Sequence, residues 1–347
     1  MGVKKVANLR EESDETLPSV SIVVPAFNNE RTIAQTLKSL TNLDYPQDKL
    51  EIIVVDDASS DSTAEVALRS GAKVIRREKR GGCAAAKNTG IASAENEVIA
   101  FIDSDVTVTK NWLKELVSSF KDPTVGATGG RIRNKFEKNN ALEKFVEYDS
   151  YYRTRRVDTK STPGSNSAYR KEVFSVVGKL DPYLGEDPDF SYRVASHGFR
   201  VVFNDKAVIY HPFPNTLLAY FKKQVYYGWQ RVMIFLLRPQ CRSILVKDEH
   251  TPISVLLQPF ILTAMILSLL FIPIFDLSKF VSLSLFLLLV MLNIPLLHYI
   301  YSKEARLLLF SMFISLFRSF AYIIGMAHGL ISFLKGKVIG RIENTEV

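Results

Sequence analysis

Two stretches near the end of the chain constrain its fold more than anything before them. Ile253–Phe275 and Phe280–Tyr301 each run for about 20 residues without a charged side chain, enough for a helix to cross a hydrocarbon core of about 30 Å. Two buried helices of a water-soluble domain would also be apolar. Runs joined only by Asp276-Leu277-Ser278-Lys279, however, read more simply as a pair of membrane spans. The next stretch, Leu307–Leu334, is mixed. It carries Arg318 and His328, with Ser311, Ser315, Ser319, Tyr322, Gly325 and Gly329 at helical spacing. An ionised Arg in mid-bilayer costs at least a few kcal/mol, so this helix is expected at the interface, its stripe packed on the spans or laid along the surface. Charge placement agrees. Arg238, Arg242 and Lys247 precede the first run, Lys303 and Arg306 follow the second, and Lys335, Lys337 and Arg341 close the chain. Two spans put all three basic groups on one face, whereas a third span would carry the last group across.

The remainder has ordinary globular composition. The expected organisation is a polar tail at 1–18, an α/β domain at 19–215, an amphipathic helix and linker at 216–250, a membrane region at 251–335 and a basic tail at 336–347. Met1–Pro18 lacks an apolar signal core, which leaves the α/β domain on the cytoplasmic side of a cell membrane. Cys83 and Cys241 are the only cysteines, too few for a disulfide framework and without metal-ligand spacing. The formal charge is +8, from 44 basic and 36 acidic residues. Because several basic residues flank apolar runs, lipid headgroups rather than nucleic acid are the expected partner. Leu217–Leu237 mixes Tyr220, Phe221, Tyr226, Tyr227, Trp229 and Phe235 with Lys222, Lys223 and Arg231, as a helix at headgroup level would.

Within 19–110, strand and helix alternate. Ser19–Pro25, Glu51–Val55, Lys73–Ile75 and Val98–Ile102 read as strands; Arg31–Leu40, the stretch behind Asp61 and Cys83–Ser93 read as helices. Such alternation predicts a mostly parallel sheet covered on both faces, with ligands at the carboxyl ends of the strands. Asn28-Asn29-Glu30, Asp56-Asp57 and Asp103/Asp105 all fall on that edge. Asp103 and Asp105 stand one residue apart after a buried run, so both can reach one hard divalent cation such as Mg²⁺ or Mn²⁺. Further on, Asn111–Phe120 reads as helix, Thr124–Gly130 as a strand ending in a Gly-Gly turn, and Asn139–Arg156 as helix followed by loop.

Six ordered blocks carry a family resemblance: S-I-V-V-P-A-F-N-N-E (21–30), I-I-V-V-D-D-A-S-S-D-S-T (52–63), A-A-K-N-T-G (85–90), F-I-D-S-D (101–105), G-S-N-S-A-Y-R-K (164–171) and G-E-D-P-D-F-S-Y-R-V-A-S-H-G-F-R-V (185–201). Over roughly residues 19–230 the chain resembles family 2 glycosyltransferases of the GT-A fold, in particular membrane-attached members. The resemblance implies that Pro25, Ala26, Asn28, Glu30, Asp56, Asp57, Lys87, Asn88 and Ser104 surround a nucleotide-diphosphate-sugar, UDP- or GDP-linked. It implies that Asp103 and Asp105, with His211 as a further candidate, hold Mn²⁺ or Mg²⁺. Gly164, Asn166 and Tyr169 would lie on the acceptor side. Asp187, with Glu186 beside it, would be the general base of an inverting transfer to a lipid-linked, polyprenyl-phosphate-based acceptor. Each motif also has a plainer reading: Asp56-Asp57 as a helix cap (a role Asp61 or Ser60 could fill instead), Asp187 as a helix cap, Lys87 on a solvated face, Gly164-Ser165-Asn166 as a turn, His211 as a structural histidine.

One departure matters. Processive synthases of this family carry Q-x-x-R-W, whereas Gln224-Val225-Tyr226-Tyr227-Gly228-Trp229 has no matching Arg. Addition of a single sugar is therefore expected over processive synthesis, with a polyprenyl-phosphate sugar synthase as the alternative. From another class, Phe101–Thr107 also fits a haloacid-dehalogenase-like phosphohydrolase, but that reading leaves Asp56-Asp57 and Glu186-Asp187 unemployed. The absence of G-x-G-x-x-G after the first strand speaks against a dinucleotide oxidoreductase. A scaffold that binds donor and metal without turnover would be indifferent to Asp187→Asn.

Overall fold

The computed structural model describes residues 17–135, 140–155, 157–184, 186–246 and 253–335. Most of the polar N-terminal tail, Gly185, Lys247, Lys337, Arg341 and the tail beyond 335 lie outside the described residues, as does the side chain of Glu186. In chain order the elements are β1 (Val20–Ala26), α1 (Ile33–Thr41), β2 (Leu50–Asp56), α2 (Thr63–Arg69), β3 (Lys73–Arg76), α3 (Cys83–Ser93), β4 (Val98–Ile102), β5 (Thr107–Val108), α4 (Trp112–Val117), β6 (Val125–Asn134), α5 (Ala141–Thr154), β7 (Asp158–Thr159), β8 (Asn166–Arg170), α6 (Lys171–Val177), α7 (Glu186–Ser196), β9 (Arg200–His211), α8 (Leu217–Leu237), α9 (Ile253–Leu270), α10 (Leu277–Lys303) and α11 (Leu308–Leu334).

These elements form two compact units, cut differently from the expected domains. One unit comprises Met1–Lys135 and Arg155–Pro212; the other comprises Phe136–Thr154 and Phe213–Val347. The chain thus leaves the α/β unit after β6, contributes α5 to the helical unit, and returns.

The α/β unit is built on a sheet ordered β3-β2-β1-β4-β8-β6-β9-β5, with β7 paired to β9. Only the first four strands are all parallel; β8 runs antiparallel to β4 and β6, and β6 runs parallel to β9. The sheet is therefore mixed rather than mostly parallel beyond β4. Every residue of β1 is buried. Alternate side chains serve opposite faces, with Ile22 and Val24 in one core and Val23 with Ile53 and Val55 in the other. The β1–β4 ladder ends at Val23↔Phe101, whereas β1–β2 continues to Ala26↔Asp56. Pro25, which has no N–H to donate, sits past the end of the β4 ladder, where β1 and β4 part at the topological switch point.

The expected Gly-Gly turn at 129–130 is not a turn, because β6 runs through both residues to Asn134. A Cβ on Gly130 would overlap the Ala207 carbonyl and the Asn166 amide, so glycine here permits strand approach.

In the helical unit, α9 ends at Leu270, short of the expected 275, with Pro273 close behind. Among the described residues, two helices are long and apolar enough to cross a membrane by length and composition, Leu277–Lys303 and Ala305–Leu334. This pair differs from the expected one, because the helix assigned to the interface qualifies and the first run does not. Ser254–Leu270 is apolar but shorter, and the one charged side chain inside α11, Arg318, is paired with Asp149 of α5, which a linear reading does not see. Ser311, Ser315, Arg318, Ser319, Tyr322, Gly325 and Gly329 all face inward on α11. Gly228 of α8 lies against the Tyr322 carbonyl, and a Cβ on Gly325 would overlap the Val225 carbonyl. Small residues thus let α8 and α11 meet backbone to backbone. Gln258 of α9 donates to Asn293 of α10 at 3.4 Å and accepts from Ser319 of α11 at 3.2 Å, tying the three helices through buried amides.

Candidate active site

The cleft opens where β1 and β4 diverge, lined by Pro25, Ala26, Phe27, Asn29, Asp57, Arg80, Gly82, Cys83, Ala86, Asp103, Ser104, Asp105 and His211. Its volume of about 350 Å³ lies within the range of small-ligand sites.

Asp103 and Asp105 follow β4, and Thr36 Oγ1 fastens the turn between them by donating to the Ser104 carbonyl at 2.9 Å. His211 is more than a hundred residues away in sequence, yet the short β5–β9 ladder pairs Thr107 with Tyr210 and brings it alongside. Its Nε2 lies 3.2 Å from Asp103 Oδ2 and 3.8 Å from Asp105 Oδ1, and one ligand atom from each residue falls within 4.8 Å of the others. His211 Nδ1 lies 2.7 Å from the Pro212 carbonyl, which can only accept. Nδ1 therefore carries a proton, and Nε2 is aimed at the carboxylates, as in a histidine that would ligate a metal. Burial alone would lower the imidazole pKa; the hydrogen bond to the Asp103 carboxylate and the charges of Asp103 and Asp105 outweigh it and raise it. Two carboxylates and an imidazole suit a divalent ion such as Mn²⁺ or Mg²⁺. Lys135, at the end of β6, donates to the Asp105 carbonyl at 2.8 Å. Burial holds its pKa below the usual lysine range, with Asp105 opposing.

On the opposite wall, Asp57 is nearly buried. It accepts from the Gly81 and Gly82 amides at 3.0 and 2.7 Å and pairs with Arg77. This carboxylate therefore shapes the turn leading into α3. Arg80 lies with its guanidinium 3.9 Å above the Phe27 ring at the cleft edge. Asn28 and Glu30 do not line the cleft. Asn28 Oδ1 accepts from Ser60 N at 2.9 Å, and Glu30 accepts from Ser62 N at 3.1 Å, so the pair stitches the β1–α1 loop to the β2–α2 loop. Asn28 adopts φ of 55°, which asparagine tolerates. Asp56 is fully buried beside Arg76, 3.3 Å away.

Lys87 and Asp187 meet, though 100 residues apart: Lys87 Nζ donates to Asp187 Oδ1 at 2.8 Å and to the Gly164 carbonyl at 3.3 Å. Lys87 is only 1 % exposed, so the plain reading of a solvated face is excluded, whereas the Asp187 side chain stays 35 % exposed. Asp187 and Pro188 occupy the first turn of α7, a place suited to both. Asp187 rests directly on Gly164, where any Cβ would overlap its carboxylate.

Three expected contacts are corrected. Asn166 is fully buried, accepting from Trp112 Nε1 at 2.8 Å and donating to the Arg131 and Ala207 carbonyls. Its polar groups thus bind β8 to its neighbours instead of facing an acceptor. Tyr169 is buried with its hydroxyl on Thr162 and Ser191, 2.7 and 3.3 Å away. Asn88 exchanges two hydrogen bonds with the Leu180 backbone, which anchors the segment leading to Asp187. Conversely, Phe27, Arg80, Gly82 and Cys83 line the cleft without having been singled out, while Asn29 lines it as its place on the strand edge implied. Their only signal was proximity to the first and third strand ends.

Comparison with known proteins agrees with this architecture. Residues 21–178 match the family described as glycosyl transferase family 2. "Probable glycosyltransferase YdaM" of Bacillus subtilis is 30 % identical over 246 residues, 66 % of this chain and 58 % of the relative. "Beta-monoglucosyldiacylglycerol synthase" of Synechocystis sp. is 29 % identical over 202 residues, 53 % of this chain and 42 % of the relative. The chain thus spans about half the length of these curated relatives. In fold it is similar to the mannosyltransferase PcManGT from Pyrobaculum calidifontis, solved with GDP-Man and Mn²⁺, at a TM-score of 0.62 and 19 % identity over 94 % of each chain. The matched segment reaches from β1 through Asp103, Asp105 and Gly164 to the end of α6, and residues 21–178 thus form a glycosyl transferase family 2 domain.

Proposed function

We propose that this chain transfers one glycosyl group from a nucleotide-diphosphate-sugar to a lipid-linked acceptor, of polyprenyl-phosphate type, at the cytoplasmic face of a membrane, with inversion at the anomeric carbon. The observation that carries the reading is the Asp103–Asp105–His211 group opening into the same cleft as Asp57 and Arg80. A divalent ion there would act as a Lewis acid on the departing diphosphate. That PcManGT was captured with GDP-Man and Mn²⁺ supports the donor class. A lipid acceptor is supported by the apolar helices α10 and α11, whose Phe280, Leu283, Leu287, Met291 and Phe313 are exposed.

In this reading, Arg80 and the Gly82 turn hold the donor, and Asp105, fixed through its carbonyl by Lys135, would hold the ion together with Asp103 and His211. Asp187 strips the proton from an acceptor hydroxyl as that oxygen attacks from the face opposite the diphosphate. Lys87 holds Asp187 in place through their 2.8 Å contact. Lack of the Q-x-x-R-W Arg supports a single addition.

The test is a melting panel of UDP- and GDP-sugars with and without Mn²⁺. The correct donor at about 100 times its Kd should stabilise the fold by about 2.7 kcal/mol, several degrees, only when metal is present. No metal-dependent shift with any nucleotide-sugar would remove the reading. A second expected result concerns Gly164. Gly164→Ala pushes the Asp187 carboxylate aside and should lower kcat about 10²-fold with little change in donor KM; unchanged kcat would show that the position of Asp187 is immaterial.

A further inference from the structure

The helical unit contains a charged cluster that sugar transfer leaves unused. Arg318 is the one Arg or Lys within α11, and it is 1 % exposed. Its Nη1 donates to Asp149 Oδ1 at 2.9 Å, while Arg153, one turn further along α5, donates to Asp149 Oδ2 at 2.6 Å. Two guanidinium groups therefore share one carboxylate that is itself 3 % exposed. The pairing explains how Arg318 can be buried, but it leaves a remainder. Among the described residues, Arg318 Nε, Arg318 Nη2 and the hydroxyl of Tyr220 are buried without a hydrogen-bond partner. Tyr220, 2 % exposed, lies within electrostatic reach of Arg318, Arg153 and Asp149.

Bare buried donors are costly, and charged ones most of all. A group that satisfies them must supply acceptors. Water would bring two hydrogens of its own to a place whose carboxylate is already shared by two guanidinium groups. An oxyanion presents several unprotonated oxygens, offsets the second positive charge, and matches the fork of Arg Nε and Nη2. We propose that Arg318, Arg153 and Tyr220 form a buried receptor for a phosphate-type oxyanion, supplied by an anionic lipid headgroup or by free phosphate. This site is independent of the donor cleft and of the reading given to it.

The full chain in detergent micelles is melted with inorganic phosphate, with dioleoyl phosphatidic acid in the micelle, or with dioleoylglycerol, which has the same acyl chains and no phosphate. Saturable stabilisation by phosphate or phosphatidic acid, but not by dioleoylglycerol, is expected. A response to inorganic phosphate assigns a free-ion site, and a response to phosphatidic acid alone assigns a headgroup site. Tyr220→Phe removes one hydroxyl and should weaken the apparent affinity about tenfold. Arg318→Met combined with Asp149→Leu removes the pair together and should abolish the response; if that variant does not fold, Tyr220→Phe decides. No shift with either probe, or an identical shift in Tyr220→Phe and the parent chain, overturns the proposal.

Discussion

Asp103→Ala is expected to lower sugar transfer by about 10³-fold, on the order of 4 kcal/mol, and to erase the metal dependence of donor binding. Asp103 supplies the carboxylate nearest His211, 3.2 Å from Nε2, and its loss leaves Asp105 and His211 as two donors without the third. The side chain is 34 % exposed and stands after β4 rather than within it, so the fold should survive. Its removal also relieves His211 of the neighbour that most favours the imidazolium. Calorimetric titration of the donor with and without Mn²⁺, together with a melting curve, separates these effects. An Asp103→Ala protein that keeps Mn²⁺-dependent donor affinity and near-parental turnover would disprove the metal assignment.

The other large effect is expected at Asp187. Asp187→Asn should cost about 10²-fold or more in kcat with an acceptor that presents a hydroxyl, and much less with one that presents an ionised phosphate. A phosphate oxygen needs no proton removed before it attacks, which makes the acceptor itself the diagnostic. The substitution has a second consequence, because Lys87 is 1 % exposed and loses its carboxylate partner. Breaking a buried pair typically costs about 3–5 kcal/mol; the 35 % exposure of Asp187 puts this one at or below the lower end. Lys87→Met together with Asp187→Asn should recover much of the melting temperature and none of the rate with a hydroxyl acceptor. Equal small losses with both acceptors would take Asp187 out of the chemistry.

Much of the α/β unit was legible because its local signals agree. The limits of α3, β4 and α8 were read without error, since each is a run of one periodicity bounded by a Gly, a turn or a charged pair. The D-x-D pair was legible for the same reason: its chemistry lies within three residues of a strand end. Where roles depend on partners remote in sequence, the linear reading failed. Asn166 and Tyr169 look like site residues in a G-S-N-S-A-Y block, yet both spend their polar atoms on buried partners in the interior. Gly129-Gly130 looks like a turn and is a strand crossing.

The amino-acid sequence by itself determined the strand–helix alternation, the edge on which the carboxylates gather and the apolar character of the C-terminal region, because each follows from periodicity and composition over a short window. Only the tertiary structure decided which residues those carboxylates meet: His211 beside Asp103 through the β5–β9 ladder, Lys87 on Asp187, and Asp149 on Arg318. Charges brought together from distant segments change one another's cost of burial, and that cost is a property of the contact rather than of either residue.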